Sequence, residues 1–195
     1  MNFYNRLVLS TFNLQNNRMK VTNLYSLFEA NNLFTKELHL ERNEYLSTSG
    51  TIDTDIYFIK EGSLKIYVIN DAEEQIIRFG YQNNIIASLD SFLSDRSSDF
   101  YIQAIKKSTV KVISKADFMA FLNSDSSYLK LWIAILEDMV LQQMEREKDL
   151  LITSPKERYE RVLKRSPQLF QEIPNKHIAN YLRMKPETLS RLKKS

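Results

Sequence analysis

Residues 173–194 read IPNKHIANYLRMKPETLSRLKK, and this stretch decides the fold of the carboxyl-terminal part of the chain. Prolines at intervals are typical of repeated starts of short helices, and here they indicate two helices separated by about three residues. The small Ala179 permits a close crossing of the two helices. The apolar residues that can pack between them are Ile178, Ala179, Leu182, Met184, Leu189 and Leu192. The pattern predicts a helix-turn-helix.

The outward face of the second helix carries side chains that suit DNA. Arg191 can pair with guanine and Glu187 with cytosine, and lysines around them can hold phosphates. The candidate DNA-binding residues are Lys176, Lys185, Glu187, Thr188, Ser190, Arg191 and Lys194. A basic helical hairpin without DNA affinity is the alternative.

Charge along the chain supports a polyanion-binding module. Residues 153–195 carry 11 Lys and Arg against 4 Asp and Glu, whereas residues 1–152 carry 16 against 20. Clustered basic side chains gain affinity for phosphates by releasing counterions. The alternative is a solvated, lysine-rich tail.

A long helix is predicted upstream, over residues 126–151, with an apolar stripe that persists for more than six turns. A new helix begins after Ser154, because Ser154 can cap it, Pro155 fits its first position and Glu157 completes a capping box. The candidate dimerisation residues on the long helix are Leu129, Trp132, Leu136, Met139 and Val140. Packing of this stripe on the rest of the protein is the alternative.

The part before residue 115 has the alternation of short β-strands. The run from Ile56 to Ile69 predicts a hairpin that turns at residues 60–62 and buries one face, with Leu64 and Ile66 inward and Ser63 and Lys65 outward. Residues 70–74 form the next predicted turn. Other strands are predicted at 37–40, 45–48, 75–79, 84–87, 100–105 and 110–113, and helices at 22–31 and 116–123. Strands at this spacing indicate a sandwich, roll or barrel.

These patterns predict an α+β protein: an antiparallel β-roll, a long helix and a helical carboxyl-terminal domain. The predicted divisions are an amino-terminal extension (1–20), the roll (21–125), the long helix (126–152) and the helix-turn-helix domain (153–195).

Several classes of function are excluded by composition. The chain has no cysteine, so disulfide scaffolds, thiolate metal sites and thiol catalysis are ruled out. His39 and His177 are the two histidines and lie far apart in sequence, which leaves few candidates for a metal site or a Ser-His-Asp triad. There is no apolar run long enough to cross a membrane and no secretory signal, so we expect a cytoplasmic protein. Because candidate catalytic residues are few, we also expect that it is not an enzyme.

The chain resembles the Crp/Fnr family of bacterial transcription regulators over about residues 22–195, particularly the short versions found in Bacteroidetes. The segments that carry the resemblance are 56–64 (IYFIKEGSL), 86–92 (IASLDSF), 178–182 (IANYL) and 186–191 (PETLSR). The resemblance implies a cyclic-nucleotide-binding-like roll, a dimer helix and a winged-helix domain, acting as a homodimer on a near-palindromic operator. It also places Glu187 and Arg191 at base-reading positions and makes RNA polymerase a candidate partner.

The effector region departs from the family pattern. Ala87 and Ser88 stand where family members that bind cyclic AMP have a Gly-Glu pair, and Ser98 stands at the position of their phosphate-binding arginine. Asp90 and Asp99 add negative charge, so we expect that cyclic AMP is not a tight ligand and that the roll binds another small molecule or none. A site rescued by a shifted Arg96 is the alternative. The candidate pocket residues are Arg78, Ala87, Ser88, Leu89, Arg96, Ser98 and Asp99.

Two further departures concern the helix-turn-helix. Arg183 occupies a turn position at which the family usually has glycine, and a left-handed backbone there would cost about 1 kcal/mol. The sequence ends at Ser195, just after the second helix, so we expect a truncated winged helix.

Three hypotheses of function follow. The leading one is a homodimeric, sequence-specific DNA-binding regulator with a sensor-like roll. The second is a ligand-binding or protein-interaction module with weak or lost DNA binding. The third is an enzyme of cupin-like form, which would need several His and carboxylate ligands on neighbouring strands, and the roll contains only His39.

Overall fold

The structure, a computed structural model, describes residues 17–194. Most of the predicted extension (1–20) lies outside the described residues, and its last four residues belong to the first helix, which begins five residues earlier than predicted. No helix in the part of the chain that the structure describes is both long and apolar enough to cross a membrane.

The strands form two antiparallel sheets that face each other. Their bounds are β1 (Lys36–Leu40), β2 (Tyr45–Ser47), β3 (Ile56–Glu61), β4 (Ser63–Asn70), β5 (Glu73–Tyr81), β6 (Ile85–Ile86), β7 (Tyr101–Ala104) and β8 (Ser108–Ile113). One sheet has the order β1-β8-β3-β6 and the other β2-β7-β4-β5. Each predicted strand is present, and the predicted roll is confirmed.

The predicted hairpin at residues 56–69 is wrong, because β3 and β4 belong to different sheets. Gly62 joins them with φ +96°, and a Cβ atom at this position would lie 2.5 Å from Ser108 Cα. The Ser63 N–H donates to Ser108 Oγ at 3.1 Å. Gly62 therefore lets the chain pass β8 at close range and cross from one sheet to the other, which a residue with a side chain could not do.

The hairpin of this region joins β4 to β5 instead. Asp71 and Ala72 occupy its turn with φ of 51° and 63°. Positive φ at both central residues is typical of the type I′ turn, whose twist matches that of the strands. The pairing shifts register between Ile66 and Tyr67, which leaves Ile77 as a bulge in β5.

The predicted one-sided burial of β4 is also wrong. Leu64 and Ile66 face the core between the sheets, as expected, but Ser63, Lys65 and Tyr67 on the opposite face are buried too. Lys65 is only 4% exposed; it forms an ion pair with Glu74 and lies 4.4 Å from the centre of the Tyr67 ring. The outer face of β4 is therefore covered.

The helices are α1 (Asn17–Ala30), α2 (Leu89–Ser94), α3 (Lys115–Ser124), α4 (Ser126–Leu151), α5 (Pro155–Arg165), α6 (Leu169–Glu172), α7 (Asn175–Tyr181) and α8 (Pro186–Leu192). Helix α4 has the predicted bounds. Ser154 caps α5 as predicted, since its Oγ accepts from the Glu157 N–H at 3.3 Å. Helix α2 was not predicted, because six residues are too few to show a period.

An aromatic cluster joins the roll to the helices. Phe28 of α1, Phe92 of α2, and Phe118 and Phe121 of α3 are buried together, and Trp132 of α4 packs against them. Ring centres lie 5.2 Å apart between Phe118 and Trp132. Edge-to-face contacts of this kind fix the start of α4 against the roll.

Candidate nucleic-acid interface

Helices α7 and α8 form the predicted helix-turn-helix. Ile178, Ala179, Leu182 and Leu189 are fully buried between the two helices and the rest of the domain. Val162 of α5 belongs to the same cluster. The small side chain of Ala179 lies at the contact, as predicted for a close helix crossing.

The turn between the helices depends on Arg183. This residue has φ +52°, so the left-handed backbone that the sequence suggested is present. The Arg183 N–H donates to the Asn180 carbonyl at 2.9 Å, and the Met184 N–H donates to the Ala179 carbonyl at 3.0 Å. These bonds satisfy carbonyls at the end of α7, and the turn keeps its geometry without a glycine.

The outward face of α8 is exposed and unpaired. Glu187 and Arg191 lie one turn apart on this face, and within residues 24–194 neither side chain forms a hydrogen bond or an ion pair with another side chain. The structure also exposes Lys176, Lys185, Ser190 and Lys194, and half-buries Thr188. All seven predicted DNA-binding side chains thus retain some access to solvent, and six of them are exposed.

Lys193, which the sequence did not single out, links the two helices. Its Nζ donates to Asn175 Oδ1 at 2.8 Å and lies 6.0 Å from the centre of the Phe170 ring. Lys193 therefore holds the end of α8 against the start of α7.

The helix-turn-helix docks on the edge of the roll through Asn180. Its Oδ1 accepts from the Ile76 N–H at 2.9 Å, and its Nδ2 donates to the Glu74 carbonyl at 2.7 Å. Phe79 of β5 and Tyr181 of α7 pack with ring centres 5.4 Å apart. The sequence reasoning missed this contact, because the partners of Asn180 are backbone groups of β5.

The end of α4 binds the same domain through charged side chains. Asp149 is fully buried; its carboxylate accepts from Arg161 Nε at 3.1 Å and from Arg165. Glu145 accepts from Arg161 at 3.0 Å. Acidic residues four apart on α4 thus face basic residues four apart on α5. This equal four-residue spacing on two neighbouring helices was the sequence signal that could have predicted the contact. We name the network of Glu145, Asp149, Arg161 and Arg165 the α4–α5 junction.

In the candidate effector region, Ser98 is fully buried and its hydroxyl donates to Asp90 Oδ1 at 2.9 Å. A carboxylate therefore lies beside the position at which the family resemblance would put a phosphate-binding arginine. Ser88 is buried and its Oγ has no hydrogen-bond partner, whereas Arg96 and Asp99 are exposed. The adjacent Ala87 and Leu89 pack against the aromatic cluster.

Arg78 lies apart from these residues. It belongs to β5 and lines a cavity of about 110 Å³ between the roll, α4 and the carboxyl-terminal domain, and no residue from 87 to 99 lines that cavity. The structure therefore does not bring Arg78 together with Ser88 and Ser98.

The predicted dimerisation residues divide between two faces of α4. Trp132 packs on the roll, whereas Leu129 and Val140 are exposed. Leu136 and Met139 are half-buried. Exposed Ile133 and Met144 extend the outer stripe; Met144 belongs to the apolar stripe predicted from the sequence, whereas Ile133 does not.

The two histidines are far apart. His39 of β1 is exposed, and His177 of α7 is half-buried, where burial and the nearby Lys65 and Lys176 lower its pKa to about 4. Within the described residues no group of three or more His, Asp or Glu side chains is placed to hold a metal ion.

Comparison with known proteins identifies the fold. Residues 37–125 match the cyclic nucleotide-binding domain family. A search of curated protein sequences finds no significant match.

Solved structures resemble most of the chain. A CooA mutant from Carboxydothermus hydrogenoformans has a TM-score of 0.68 at 15% identity, over 85% of this chain and 77% of that one. FixK2 from Bradyrhizobium japonicum has a TM-score of 0.67 at 17% identity, over 82% of each chain. The regulator CLP of Xanthomonas campestris has a TM-score of 0.63 at 13% identity, over 88% of this chain and 90% of that one. Residues 37–125 therefore match a cyclic nucleotide-binding domain, and most of the chain shares the fold of these solved structures, as its resemblance to the Crp/Fnr family implied.

Proposed function

We propose that this protein is a sequence-specific, DNA-binding transcription regulator. The observation that carries the proposal is the outer face of α8, where Glu187 and Arg191 are exposed and free of side-chain partners within the described residues. A helix held by a second helix at a close crossing can enter the major groove and present such side chains to base edges. Lys176, Lys185 and Lys194 would contact phosphates on either side.

The regulator would act as a homodimer through the outer stripe of α4. Val140 is 60% exposed and Met144 50% exposed, and an apolar stripe of this length on one helix face supports association with a second copy. A two-fold dimer would place two copies of α8 on the half-sites of a near-palindromic operator, with RNA polymerase as a candidate partner of the bound dimer.

The roll would serve as a sensor that does not bind cyclic AMP tightly. The Ser98–Asp90 hydrogen bond supports this, because an anionic phosphate there would meet a carboxylate and no arginine partner. Regulation would require two arrangements of the roll, α4 and the carboxyl-terminal domain that differ in DNA affinity. A ligand would then regulate DNA binding by having a higher affinity for one of the two arrangements.

Selection of DNA tests the proposal directly. The purified protein is titrated by fluorescence anisotropy with a randomised duplex pool at several salt concentrations, and the bound DNA is sequenced. We expect enrichment of a near-palindromic site and a steep fall of affinity with salt. A second titration with candidate nucleotides added detects an effector-dependent state.

Failure of every duplex to bind, with and without these nucleotides, would contradict the proposal and favour a ligand-binding or protein-interaction module. The dimer is tested separately by Val140→Asp, which we expect to shift sedimentation to a monomer. Ile52→Asp, which adds the same charge at an exposed position of the roll, is the matched control. A dimer that persists in Val140→Asp would remove this stripe from the interface.

A further inference from the structure

A cavity lies where the roll, α4 and the carboxyl-terminal domain meet. Its volume is about 110 Å³, and it is partly open to solvent. Its lining comes from all three parts of the chain: Ile77, Arg78, Phe79 and Tyr81 from β5, Gln142, Gln143 and Arg146 from α4, and Ser166, Leu169 and Tyr181 from the carboxyl-terminal domain.

Arg146 is a buried cation with an unused donor at this cavity. The residue is only 5% exposed, and its guanidinium lies 3.7 Å from the centre of the Tyr181 ring. One terminal nitrogen, Nη2, donates to the Tyr181 carbonyl, whereas the other, Nη1, is buried without a hydrogen-bond partner. A buried, charged donor without an acceptor is costly, so we expect either a water molecule or a bound anion to satisfy it.

Arg78 brings a second cation to the same cavity. In the part of the chain described here, its side chain makes no ion pair or hydrogen bond, and burial lowers the pKa of both arginines. The carboxylates near them have other partners. Asp138 accepts from Gln142 at 2.7 Å, and Asp149 accepts from Arg161 and Arg165.

We propose that this cavity binds a phosphate group through Arg78 and Arg146. Two guanidinium groups present forked donors that match a tetrahedral oxyanion, and the phosphate would supply the acceptor that Arg146 Nη1 lacks. Ser166, Tyr181 and Gln143 also line the cavity, and side chains of these types can donate hydrogen bonds to the remaining oxygens. The site excludes Ser88 and Ser98, so it differs from the position that the family resemblance gives to a cyclic phosphate.

A phosphate at this point would contact β5, α4 and the carboxyl-terminal domain together. It would stabilise the arrangement in which the helix-turn-helix is docked on the roll, and it would change DNA affinity in any equilibrium between docked and undocked states. This regulatory consequence rests on the proposed DNA binding, whereas the phosphate site itself does not.

Calorimetry of the full chain tests the site without DNA. Inorganic phosphate is titrated into the wild-type protein and into Arg78→Gln, at an ionic strength held constant with sodium chloride. We expect the wild type to bind and Arg78→Gln to bind about tenfold more weakly, since a charge-assisted pair is lost. Arg146 also holds Tyr181, so Arg78 is the better position for the test.

Arg42→Gln is the matched control, because Arg42 is an exposed arginine between β1 and β2 and lies outside both the cavity and the candidate effector region. We expect it to bind phosphate like the wild type, and circular dichroism to show that both variants are folded. Equal weakening in the two variants would show non-specific attraction and overturn the proposal, as would a wild type that binds no phosphate.

The source of the phosphate is distinguished by titrating ribose 5-phosphate and ribose. Tighter binding of ribose 5-phosphate than of inorganic phosphate would assign a phosphate ester, and equal binding would assign the free ion. Binding of ribose alone as tight as that of ribose 5-phosphate would contradict a phosphate site. Repeating the DNA titration with and without phosphate then measures the coupling between phosphate binding and DNA binding. The calorimetric evidence for the phosphate site does not depend on whether this coupling is found.

Discussion

Arginines of the carboxyl-terminal domain occupy two opposite electrostatic settings. At the α4–α5 junction, Arg161 and Arg165 are bonded to the fully buried carboxylate of Asp149. On the outer face of α8, Arg191 is exposed and has no acidic partner among the residues that the structure describes. Similar side chains thus serve to hold the domain on α4 in one place and remain available to a ligand in the other.

The contrast between paired and unpaired arginines shows that the net charge of residues 153–195 overstates the number of cations available to the proposed DNA-binding surface. Of the basic residues that make residues 153–195 so positive, Arg161 and Arg165 are paired with acids of α4, and Lys193 is bonded to Asn175. Counterion release requires cations that face the phosphates. The proposed DNA-binding surface is therefore smaller than the sequence charge implies.

The largest effect is expected at the α4–α5 junction. Asp149→Ala removes a buried carboxylate and leaves two arginines without their partner, so it should lower the free energy of unfolding by about 3 kcal/mol. Urea unfolding followed by circular dichroism measures this change. Glu147→Ala, at an exposed position on the same helix, should change stability by less than about 0.5 kcal/mol. Equal losses of unfolding free energy in the two variants would show that the paired carboxylate contributes no more to stability than an unpaired one.

Arg191→Ala tests the other side of the comparison. We expect it to weaken binding to the selected operator by about 2 kcal/mol and to relax base preference at one half-site position. Its unfolding free energy should match that of the wild type, because Arg191 has no side-chain partner within the described residues. Anisotropy with the operator and with single-base variants measures the effect. An equal loss on every sequence would mean that Arg191 contacts phosphate only.

His177 lies on the side of the carboxyl-terminal domain that faces the roll. Burial lowers its pKa to about 4, Lys65, Lys176 and Arg42 act in the same direction, and Glu74 opposes them. The unfolded chain takes up the proton near pH 6.5 and the folded chain near pH 4, so stability present above pH 6.5 is lost as the pH falls between these values. We expect a loss of between about 1 and 2 kcal/mol in this window after allowance for solvent screening.

Urea unfolding at several pH values measures this loss in the wild type, in His177→Gln and in His39→Gln, whose imidazole is exposed on β1. The loss should shrink in His177→Gln and persist in His39→Gln. A pH dependence that is the same in all three proteins would rule out His177 as its source.

The smallest effect concerns the neutral contact between α7 and the roll. Asn180→Ala removes two hydrogen bonds to the backbone of β5, and we expect a loss of about 1 kcal/mol. Hydrogen exchange of the Ile76 amide should rise more than global unfolding accounts for. Asn175→Ala, which removes a contact between α7 and Lys193 but none with the roll, is the control. Unchanged exchange at Ile76 in Asn180→Ala would show that Asn180 does not hold the domain on the roll.

Much of the fold could be predicted because it depends on local patterns. Alternating apolar residues gave the strands, the apolar stripe gave the full length of α4, and Ser154 with Pro155 gave the start of α5. The pairing of β3 and β4 could not be predicted in this way. A turn at residues 60–62 is compatible both with a hairpin and with a crossing between sheets, and only the close approach of Ser108 to Gly62 decides between them.

The candidate site was predicted in part for the same reason. The exposed residues of α8 follow from helical period and the burial of Ile178, Ala179 and Leu189. Asn180 and Arg146 were missed because their partners are backbone groups far along the chain, and backbone groups leave no mark in a sequence.

Local sequence patterns specify the strands, the longer helices, the helix-turn-helix and the side chains that it exposes, because hydrophobic period and helix caps act over a few residues. Only the tertiary structure decided which sheet each strand joins, which arginines are paired, and that Arg78 and Arg146 line one cavity. These features depend on contacts between residues distant in sequence. Electrostatic and packing interactions depend on distance in the folded structure, so a sequence pattern does not show which distant residues come into contact.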